Sequence, residues 1–269
     1  MKRPDVKLDN FEEVYDFYET HEQSKVFARI AHVLLARRYR VTVTCDEGVE
    51  EAIRTELRAG SRVIISPNHI TADDQYVIVS LVQEVPALHP LRGNTFIPAE
   101  PSLFVRPGVA GRMLRRAVDG LGALPTFRLE DLKRQGIELT DEIRSVHQRS
   151  MLKSSDAQVS KLIRGSFMAG FWEGTRNRTD YRVVQPLKNG MGHTAIAASK
   201  EVRVLLLPMG IYYGGEPSDY RRPRVPKPHA PHVHLGMPIP VETGSAGELV
   251  ALVHPAIQSC VDHAVAQST

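Results

Sequence analysis

Cysteines and long apolar runs are scarce in this 269-residue chain. The two cysteines, Cys45 and Cys260, are far apart and lack metal-type spacing, which disfavours a disulfide scaffold and indicates a reducing compartment. The longest apolar runs, 76–82 and 202–210, are far shorter than the roughly 18 residues that predict a membrane-spanning helix. We therefore expect no segment of the chain to cross a bilayer by itself.

A strong excess of one charge is also absent. The 34 lysines and arginines against 31 aspartates and glutamates give a net charge of +3. This small excess gives no reason to expect nucleic acid as a partner, but it permits a local positive patch that faces phosphates or an anionic membrane. The basic start of the chain leads into an acidic stretch instead of an apolar one, so no secretory signal is visible and a cytoplasmic location is expected.

Hydrophobic periodicity predicts a helical segment over residues 1–40 and an α/β domain over 41–269. Two helices are expected in the first segment, one capped by Asp9 or Asn10 and one that begins at Ser24. The domain is expected to hold a mixed, largely parallel central sheet flanked by helices. Strands are predicted near 41–45, 62–66, 95–99, 123–127, 165–172, 202–212 and 232–236. Helices are predicted near 49–59, 74–84, 108–121, 141–153, 156–164, 192–199 and 246–266.

The second helix is amphipathic. Its apolar side consists of Val26, Phe27, Ile30, Val33 and Leu34. Because this side continues into Arg37, Arg38 and Arg40, the composition is that of a helix on a membrane surface. The pattern equally fits a helix that packs on the core and has a solvated end, and from the sequence we favour that interpretation.

One histidine lies where open α/β sheets place their active sites. Asn68 and His69 directly follow a predicted strand, at its carboxyl end. Asp74 begins the next predicted helix, from which its carboxylate can reach one imidazole nitrogen and leave the other free as a base. No serine lies in a nucleophile-elbow pattern, so the nucleophile would be the substrate's own hydroxyl.

A second cluster has the residue types of an anion site. The sequence FWEGTRNR, at 171–178, combines a glycine turn, a hydroxyl and two guanidinium groups, which together suit a phosphate. Its candidate binding residues are Gly174, Thr175, Arg176 and Arg178. Glu173 is expected to tether an arginine or to order the loop. A surface turn with solvated charges is the alternative for this segment alone.

Four blocks in the same order resemble the glycerolipid acyltransferases, the family of lysophosphatidic acid and glycerol-3-phosphate acyltransferases. The sequence NHITADD resembles the family's N-H-x4-D motif, and FWEGTRNR resembles its F-P-E-G-T-R-S-R block. The sequence LPTFR, which ends at Arg128, resembles the second block, whose closing arginine contributes to the acceptor phosphate site. LLPMGI, which contains Pro208, resembles the fourth block, a strand that ends in a proline near the acyl site. Lys188 and Gly190 match the lysine and glycine that follow the third block.

The resemblance covers most of the chain and implies an O-acyltransferase that needs no cofactor or metal. His69 would be the general base on an acceptor hydroxyl, oriented by Asp74, and no covalent acyl-enzyme would form. Arg128, Arg176 and Arg178 would hold the acceptor phosphate. The donor would be acyl-CoA or acyl carrier protein, and the acceptor a lysophosphatidic-acid-type lipid. A soluble glycerol-3-phosphate acyltransferase and a non-catalytic lipid or acyl-thioester binding protein of the same fold are the alternatives.

Two of the chain's departures from the family pattern bear on the site and on membrane attachment. Trp172 replaces a proline, and is either a wall of the pocket or a core residue. The hydrophobic amino-terminal span is lacking, so a protein peripheral on the cytoplasmic membrane face is expected. The basic residues of 220–227 are a candidate contact for donor phosphates or anionic headgroups, or else a solvated loop.

Two further groups of side chains are assigned no catalytic role. His229, His232 and His234 have no cysteine or carboxylate close by in sequence, so no metal site is predicted. Asp73 is expected to be a solvent-facing helix cap instead of a second catalytic acid.

Overall fold

The computed structural model describes residues 3–134, 136–214, 230–242 and 244–268. Within these ranges the chain has an α/β fold, with helices on both faces of a mixed, mostly parallel sheet. The helices are α1 (Phe11–Thr20), α2 (Lys25–Tyr39), α3 (Val49–Arg58), α4 (Asp74–Glu84), α5 (Gly108–Gly120), α6 (Leu129–Arg134), α7 (Asp141–Ile163), α8 (Gly190–Ser199) and α9 (Ala246–Ala266). The strands are β1 (Thr42–Cys45), β2 (Arg62–Pro67), β3 (Thr95–Ala99), β4 (Ala123–Pro125), β5 (Phe167–Ala169), β6 (Val204–Tyr212), β7 (His232–Leu235) and β8 (Ile239–Pro240).

The strand order places β2 near the middle of the sheet. The order is β1-β7-β6-β2-β5-β3-β4, and β8 pairs with β6. Strands β6, β2, β5, β3 and β4 are parallel, whereas β7 is antiparallel to β6 and parallel to β1. The carboxyl ends of β2, β5 and β6 therefore meet at one edge, which is where open α/β sheets place their sites.

Apolar layers on both faces of the sheet explain the runs of consecutive apolar residues in β2 and β6. Successive side chains of a strand point to opposite faces. Val63 and Ile65 lie in the layer that packs against α4, while Ile64 lies in the layer that packs against α9. Leu206 and Leu207 divide between the two layers in the same way. The sheet is thus a rigid platform for the loops at its edge.

The predicted fold class is confirmed, and β3, α4 and α9 have the predicted bounds. The two helices expected over 141–153 and 156–164 are a single helix, α7, because small residues on its buried side let it pack closely against α1. The strand expected over 165–172 is only three residues long, as is the one expected over 123–127. Helix α6, strand β8 and three short 3-10 turns were not predicted.

The expected caps of α1 do not form. A 3-10 turn, Leu8–Asn10, precedes the helix, and the Asn10 side chain makes no cap bond to it. Instead, Asn10 Oδ1 accepts a hydrogen bond from the Lys7 N–H at 3.2 Å. Ser24, in contrast, caps α2 as predicted, since its side chain accepts from the Phe27 N–H.

The apolar face of α2 was expected to pack on the core, but the helix buries its opposite face. Its large apolar side chains are solvent-exposed, including Val26 at 73%, Ile30 at 53% and Leu34 at 59%. The buried side chains are Ala28, His32 and Ala36. Small residues allow α2 to approach α4 closely, and the His32 Nδ1–H donates to the Val79 carbonyl at 2.9 Å. The interpretation of α2 as a core-packing helix is therefore wrong for its apolar face.

Among the described helices, α9 is the one long and apolar enough to cross a membrane by length and composition, with a mean hydropathy of 1.3. It carries Pro255, and it packs on β6 and β7. Its buried side chains are Ala246, Leu249, Val253, Ile257, Cys260, Val261 and Ala264. A core helix of a globular domain has the same properties, so the composition of α9 is weak evidence for a membrane span.

Candidate active site

His69 and Asp74 form a hydrogen-bonded pair at the carboxyl edge of the sheet. His69 follows β2 by two residues, and Asp74 is the first residue of α4. His69 Nδ1 lies 2.8 Å from Asp74 Oδ2. The Asp74 side chain is fully buried, whereas the imidazole of His69 is 17% exposed. The predicted pair is thus formed, with the carboxylate inside and the imidazole at the surface.

Donors surround the Asp74 carboxylate. Its Oδ2 accepts from the Ile70 N–H at 2.6 Å and from the Thr71 N–H at 2.9 Å. Its Oδ1 accepts from the Thr71 hydroxyl at 3.0 Å and from the Tyr213 hydroxyl at 2.7 Å. These bonds compensate for burial of the charge and fix the carboxylate in one orientation.

This hydrogen bonding determines the tautomer of His69. A carboxylate that accepts from so many donors is ionised, so Nδ1 carries a proton and donates it to Asp74. The neutral ring then has its lone pair on Nε2, which makes no hydrogen bond within the described part of the chain. His69 therefore presents a basic nitrogen at the sheet edge, and the Asp74 carboxylate, itself fixed by hydrogen bonds, holds the ring in this orientation.

The backbone and ring of His69 are held by the loop after β5. The Phe171 ring stacks on the imidazole at 3.9 Å between centroids and an angle of 18°. The His69 N–H donates to Glu173 Oε1 at 2.8 Å, and the His69 carbonyl accepts from the Asn177 N–H at 2.7 Å. The two predicted clusters, 68–74 and 171–178, therefore form one site.

Glu173 orders the loop and binds no arginine among the described residues. Its Oε1 accepts from His69, and its Oε2 accepts from Gln185 Nε2 at 2.7 Å. Burial raises the pKa of Glu173 to about 7, against the lowering effect of the His69 and Gln185 hydrogen bonds, and the nearby Asp74 raises it further. Of the two roles expected for Glu173, ordering the loop is the one that its contacts fit.

Asn68 connects β2 to the end of β6. Its Oδ1 accepts from the Ile211 N–H at 2.7 Å, and its Nδ2 donates to the Ile211 carbonyl at 3.0 Å. The side chain is buried. Both ends of the amide are thus used in positioning the strand end that carries His69.

The three arginines expected to hold a phosphate differ in their contacts. Arg128 is paired: its Nε and Nη2 donate to Asp131 at 2.7 and 3.1 Å, and its Nη1 donates to the Gly174 carbonyl at 2.8 Å. Arg176 and Arg178 make no hydrogen bond or salt bridge with any described residue. Burial lowers the pKa of Arg176, Arg178 lowers it further, and Asp74 counteracts this. Arg176 is therefore a partly buried cation that is close enough to Asp74 to interact with it and forms no ion pair with a described residue.

The glycine of the loop permits a close approach by a lysine. Gly174 has a φ of +71°, and a Cβ at this position would lie 3.0 Å from Lys188 Cδ. Lys188 Nζ in turn lies 3.5 Å from Glu130 Oε1. Thr175 is exposed, and its carbonyl accepts from Gln185 Nε2 at 3.3 Å. The Lys188 side chain thus covers the turn at Gly174, and its ammonium group lies near Glu130 instead of the His69–Asp74 pair.

One family-derived expectation about the strands needs correction, and the open alternative for Trp172 is decided. Strand β6 does not end at Pro208, but continues to Tyr212. Pro208 lies buried inside the sheet opposite Ser66, and its carbonyl accepts from the Gly236 N–H at 3.1 Å. Trp172 is a core residue, 1% exposed, and its Nε1–H donates to Ser66 Oγ at 2.9 Å.

Asp73 does not face solvent as expected. It is 7% exposed, and it stands before α4 without a side-chain bond to the helix. Burial and the nearby Asp73 both raise the pKa of Tyr39, whose ring stacks on Tyr76. Asp73 therefore belongs to the packing between α2 and α4.

The site also contains residues that the sequence did not identify. Tyr213 and Thr71 bind Asp74, Phe171 stacks on His69, and Gln185 binds Glu173. The position of Tyr213 directly after a parallel strand was a usable signal, since such positions lie at the site edge.

Only part of the histidine trio, and none of the basic stretch, falls within the described residues. His229 and the stretch 220–227, with its basic residues Arg221, Arg222, Arg224 and Lys227, lie outside the described residues. His232 and His234 share one face of β7, as expected. No carboxylate is close to them in sequence, but Asp46 is close in space, since its Oδ1 lies 3.0 Å from His234 Nε2.

The comparisons with known proteins give no relative for this chain. No family model matches it. No curated protein matches it either. The site's geometry and chemistry are therefore the basis for assigning a function.

Proposed function

We propose that this protein transfers a fatty acyl group from an acyl thioester to a hydroxyl of a phosphate-bearing glycerolipid acceptor. The observation that carries the proposal is the state of His69. Its Nδ1–H is held by a buried carboxylate, and its Nε2 is free and partly exposed. This is the arrangement of a general base that awaits a proton from a substrate.

The absence of a protein nucleophile at Nε2 favours attack by the substrate's own hydroxyl. Within the described residues, no serine, threonine or cysteine is hydrogen-bonded to this nitrogen. The nearest strand-end serine, Ser66, is buried and occupied by Trp172 and the Ile64 carbonyl. His69 Nε2 takes the proton of the acceptor hydroxyl, whose oxygen attacks the thioester carbonyl. The C–S bond then breaks, and the thiolate leaving group takes up the proton.

Arg176 supports a phosphate on the acceptor. A half-buried guanidinium without a counter-ion loses solvation that a bound phosphate would replace with two parallel hydrogen bonds. Arg178 adds charge at the same loop, while Arg128 already pairs with Asp131 and serves to position the Gly174 turn. We therefore assign the phosphate chiefly to Arg176. Holding the acceptor there would bring its hydroxyl to Nε2.

The exposed face of α2 favours a lipid acceptor over glycerol 3-phosphate. Ile30 and Leu34 are more than half exposed on a helix whose last turn carries Arg37 and Arg38. Helix α5 adjoins α2, since the Ser24 N–H donates to the Gly120 carbonyl at 3.3 Å. Its exposed apolar side chains are Val109 and Met113, and its arginines are Arg112, Arg115 and Arg116. Such a surface fits the interface of an anionic membrane, from which a lysophospholipid is drawn.

An acyl-transfer assay tests the proposal directly. Purified protein is incubated with palmitoyl-CoA and lysophosphatidic acid, glycerol 3-phosphate or no acceptor, and products are identified by mass spectrometry. Phosphatidic acid formation with lysophosphatidic acid is expected. Product only with glycerol 3-phosphate would assign the soluble alternative, and release of free fatty acid alone would indicate a hydrolase. No product from either acyl-CoA or acyl carrier protein would favour a binding protein.

Arg176→Ala separates the phosphate site from the base. We expect the KM for the phosphorylated acceptor to rise about 10-fold or more, as for loss of a desolvated charge pair. Arg178→Ala, on the exposed part of the same loop, is the matched control and should have a smaller effect. An unchanged KM in Arg176→Ala would remove this residue from the phosphate site.

Membrane binding by α2 is tested with two leucines of equal exposure. Leu34 on α2 and Leu252 on α9 are both 59% exposed. We expect Leu34→Glu to reduce co-sedimentation with phosphatidylglycerol vesicles and Leu252→Glu to leave it unchanged. Equal loss in both variants, or no binding by the unmodified protein, would contradict the assignment of α2 to the interface.

A further inference from the structure

Two histidines and an aspartate converge on the other side of the sheet centre, away from His69. Asp46 directly follows β1, His234 is in β7, and His263 is in the last turn of α9. Each of the three side chains offers one potential metal-ligand atom, and these atoms lie within 4.8 Å of one another. His234 is buried, while Asp46 and His263 are exposed.

The hydrogen bonds of His234 leave two acceptors facing each other. The Thr44 hydroxyl donates its proton to Gln267 Oε1 at 2.7 Å, so toward His234 Nδ1, 2.9 Å away, its oxygen accepts. This places a proton on Nδ1 and the lone pair of the neutral ring on Nε2. Nε2 lies 3.0 Å from Asp46 Oδ1, which is also an acceptor. Two arrangements satisfy both atoms: a second proton on the ring, which makes an ion pair with Asp46, or a metal ion bound by both.

The hydrogen bond of His263 fixes the same tautomer as in His234. Its Nδ1 lies 2.8 Å from the Ser259 carbonyl, which can only accept, so Nδ1 is protonated and Nε2 has the lone pair. Its ring stacks on that of His234 at 4.5 Å between centroids and an angle of 14°. Fixing of a ligand tautomer through the other ring nitrogen is the usual outer-shell arrangement of histidine metal sites.

We propose that Asp46, His234 and His263 bind a divalent transition-metal ion of the Zn²⁺ type. Bonds of about 2 Å place two ligands of one Zn²⁺ about 3–3.5 Å apart, and the Asp46–His234 pair already has this spacing. The exposed His263 side chain would leave its stacked position on His234 to reach the ion. Two imidazoles and one carboxylate prefer Zn²⁺ to Mg²⁺, and three protein ligands leave one position for water.

This site is separate from the proposed acyl transfer and does not depend on it. The ion would join the edge strand β1 and its neighbour β7 to the end of α9. His234 is in β7, two strands away from β2 in the sheet, and it pairs with Gly210 of the intervening β6. The expected consequence is a structural one, in which metal binding stabilises the attachment of α9 to the sheet.

The test is a Zn²⁺ titration of the full chain without a histidine tag, after removal of metal with a chelator. We expect one Zn²⁺ per chain by competition with a chromogenic chelator, a melting temperature that rises with Zn²⁺, and no competition from Mg²⁺. His263→Ala and Asp46→Asn, both at exposed positions, should abolish the binding and the shift. Thr44→Val should weaken it about 10-fold or more, through loss of the support to His234.

A matched control separates this site from general binding by surface histidines. His193 is exposed on α8, and its imidazole has no hydrogen-bond partner among the described residues. His193→Ala should keep the wild-type affinity and stoichiometry. Binding that survives both His263→Ala and Asp46→Asn, or no stoichiometric Zn²⁺ binding by the unmodified chain, would overturn the proposal.

Discussion

Replacement of Glu173 by glutamine is expected to change how the stability of the protein depends on pH. Burial raises the pKa of this carboxyl to about 7 in the folded state, against 4.5 for the free group. Between these two pH values the folded chain retains a proton that the unfolded chain releases. The free energy of unfolding therefore falls as the pH rises from 4.5 to 7, and stays low above 7.

The size of this effect follows from the pKa difference. At about 1.4 kcal/mol for each pKa unit, the ionised carboxyl costs about 3 kcal/mol above pH 7. Glutamine has no proton to lose, and its carbonyl can still accept from the His69 N–H. We therefore expect Glu173→Gln to be more stable than the unmodified protein at pH 8 by up to about 3 kcal/mol, with little gain at pH 5.

Urea unfolding at several pH values between 5 and 8 measures this difference directly. Glu201→Gln, at an exposed position after α8, is the matched control and should follow the unmodified protein at each pH. Parallel stability curves for Glu173→Gln and the unmodified protein would refute the reasoning. A variant that is less stable at pH 8 would show that the ionised carboxylate stabilises the loop.

Two further substitutions test the packing around the site. Gly210→Ala should destabilise the protein by about 3 kcal/mol in urea unfolding, because its Cβ would lie 2.2 Å from the backbone carbon of Cys260. Gly190→Ala meets no atom within 4 Å and should be nearly neutral, so equal losses would contradict this account. Tyr213→Phe removes a donor to the buried Asp74 and should cost about 1–3 kcal/mol. It should also slow acyl transfer, and unchanged values of both would show that this hydroxyl is dispensable.

The strands and helices with clear periodicity could be predicted from the sequence, whereas the choice of packing face could not. The period of α2 indicated an amphipathic helix, but not which side would be buried. Packing against α4 selected the side with Ala28 and Ala36, because small side chains allow close helix approach. The larger Ile30 and Leu34 were left exposed. Tertiary packing also joined two predicted helices into α7.

Proline in β6 shows a second limit of sequence reasoning. A proline is expected at the end of a central strand, because it lacks the N–H that the ladder needs. The Pro208 carbonyl faces β7, where it accepts from Gly236, so its missing N–H faces the same side. The last pair between β6 and β7 is Met209 with Leu235, so the ladder has already ended there. Strand β6 can therefore continue through Pro208.

The predicted pair of the site formed because its residues are close in sequence and flank one strand end. His69 and Asp74 needed only the turn between β2 and α4 to meet. The supporting contacts from Phe171, Gln185 and Tyr213 come from distant parts of the chain, and no local pattern indicates them. The pairing of Arg128 with Asp131 likewise depends on α6, which was not predicted.

The most direct test of the central claim is the rate of phosphatidic acid formation from palmitoyl-CoA and lysophosphatidic acid in His69→Ala, compared with His193→Ala. Both variants remove one histidine at or near the surface, and circular dichroism checks that both remain folded. The account predicts that His69→Ala loses ester formation, while His193→Ala keeps it. Near-normal ester formation by folded His69→Ala would contradict the assignment of His69 as the general base.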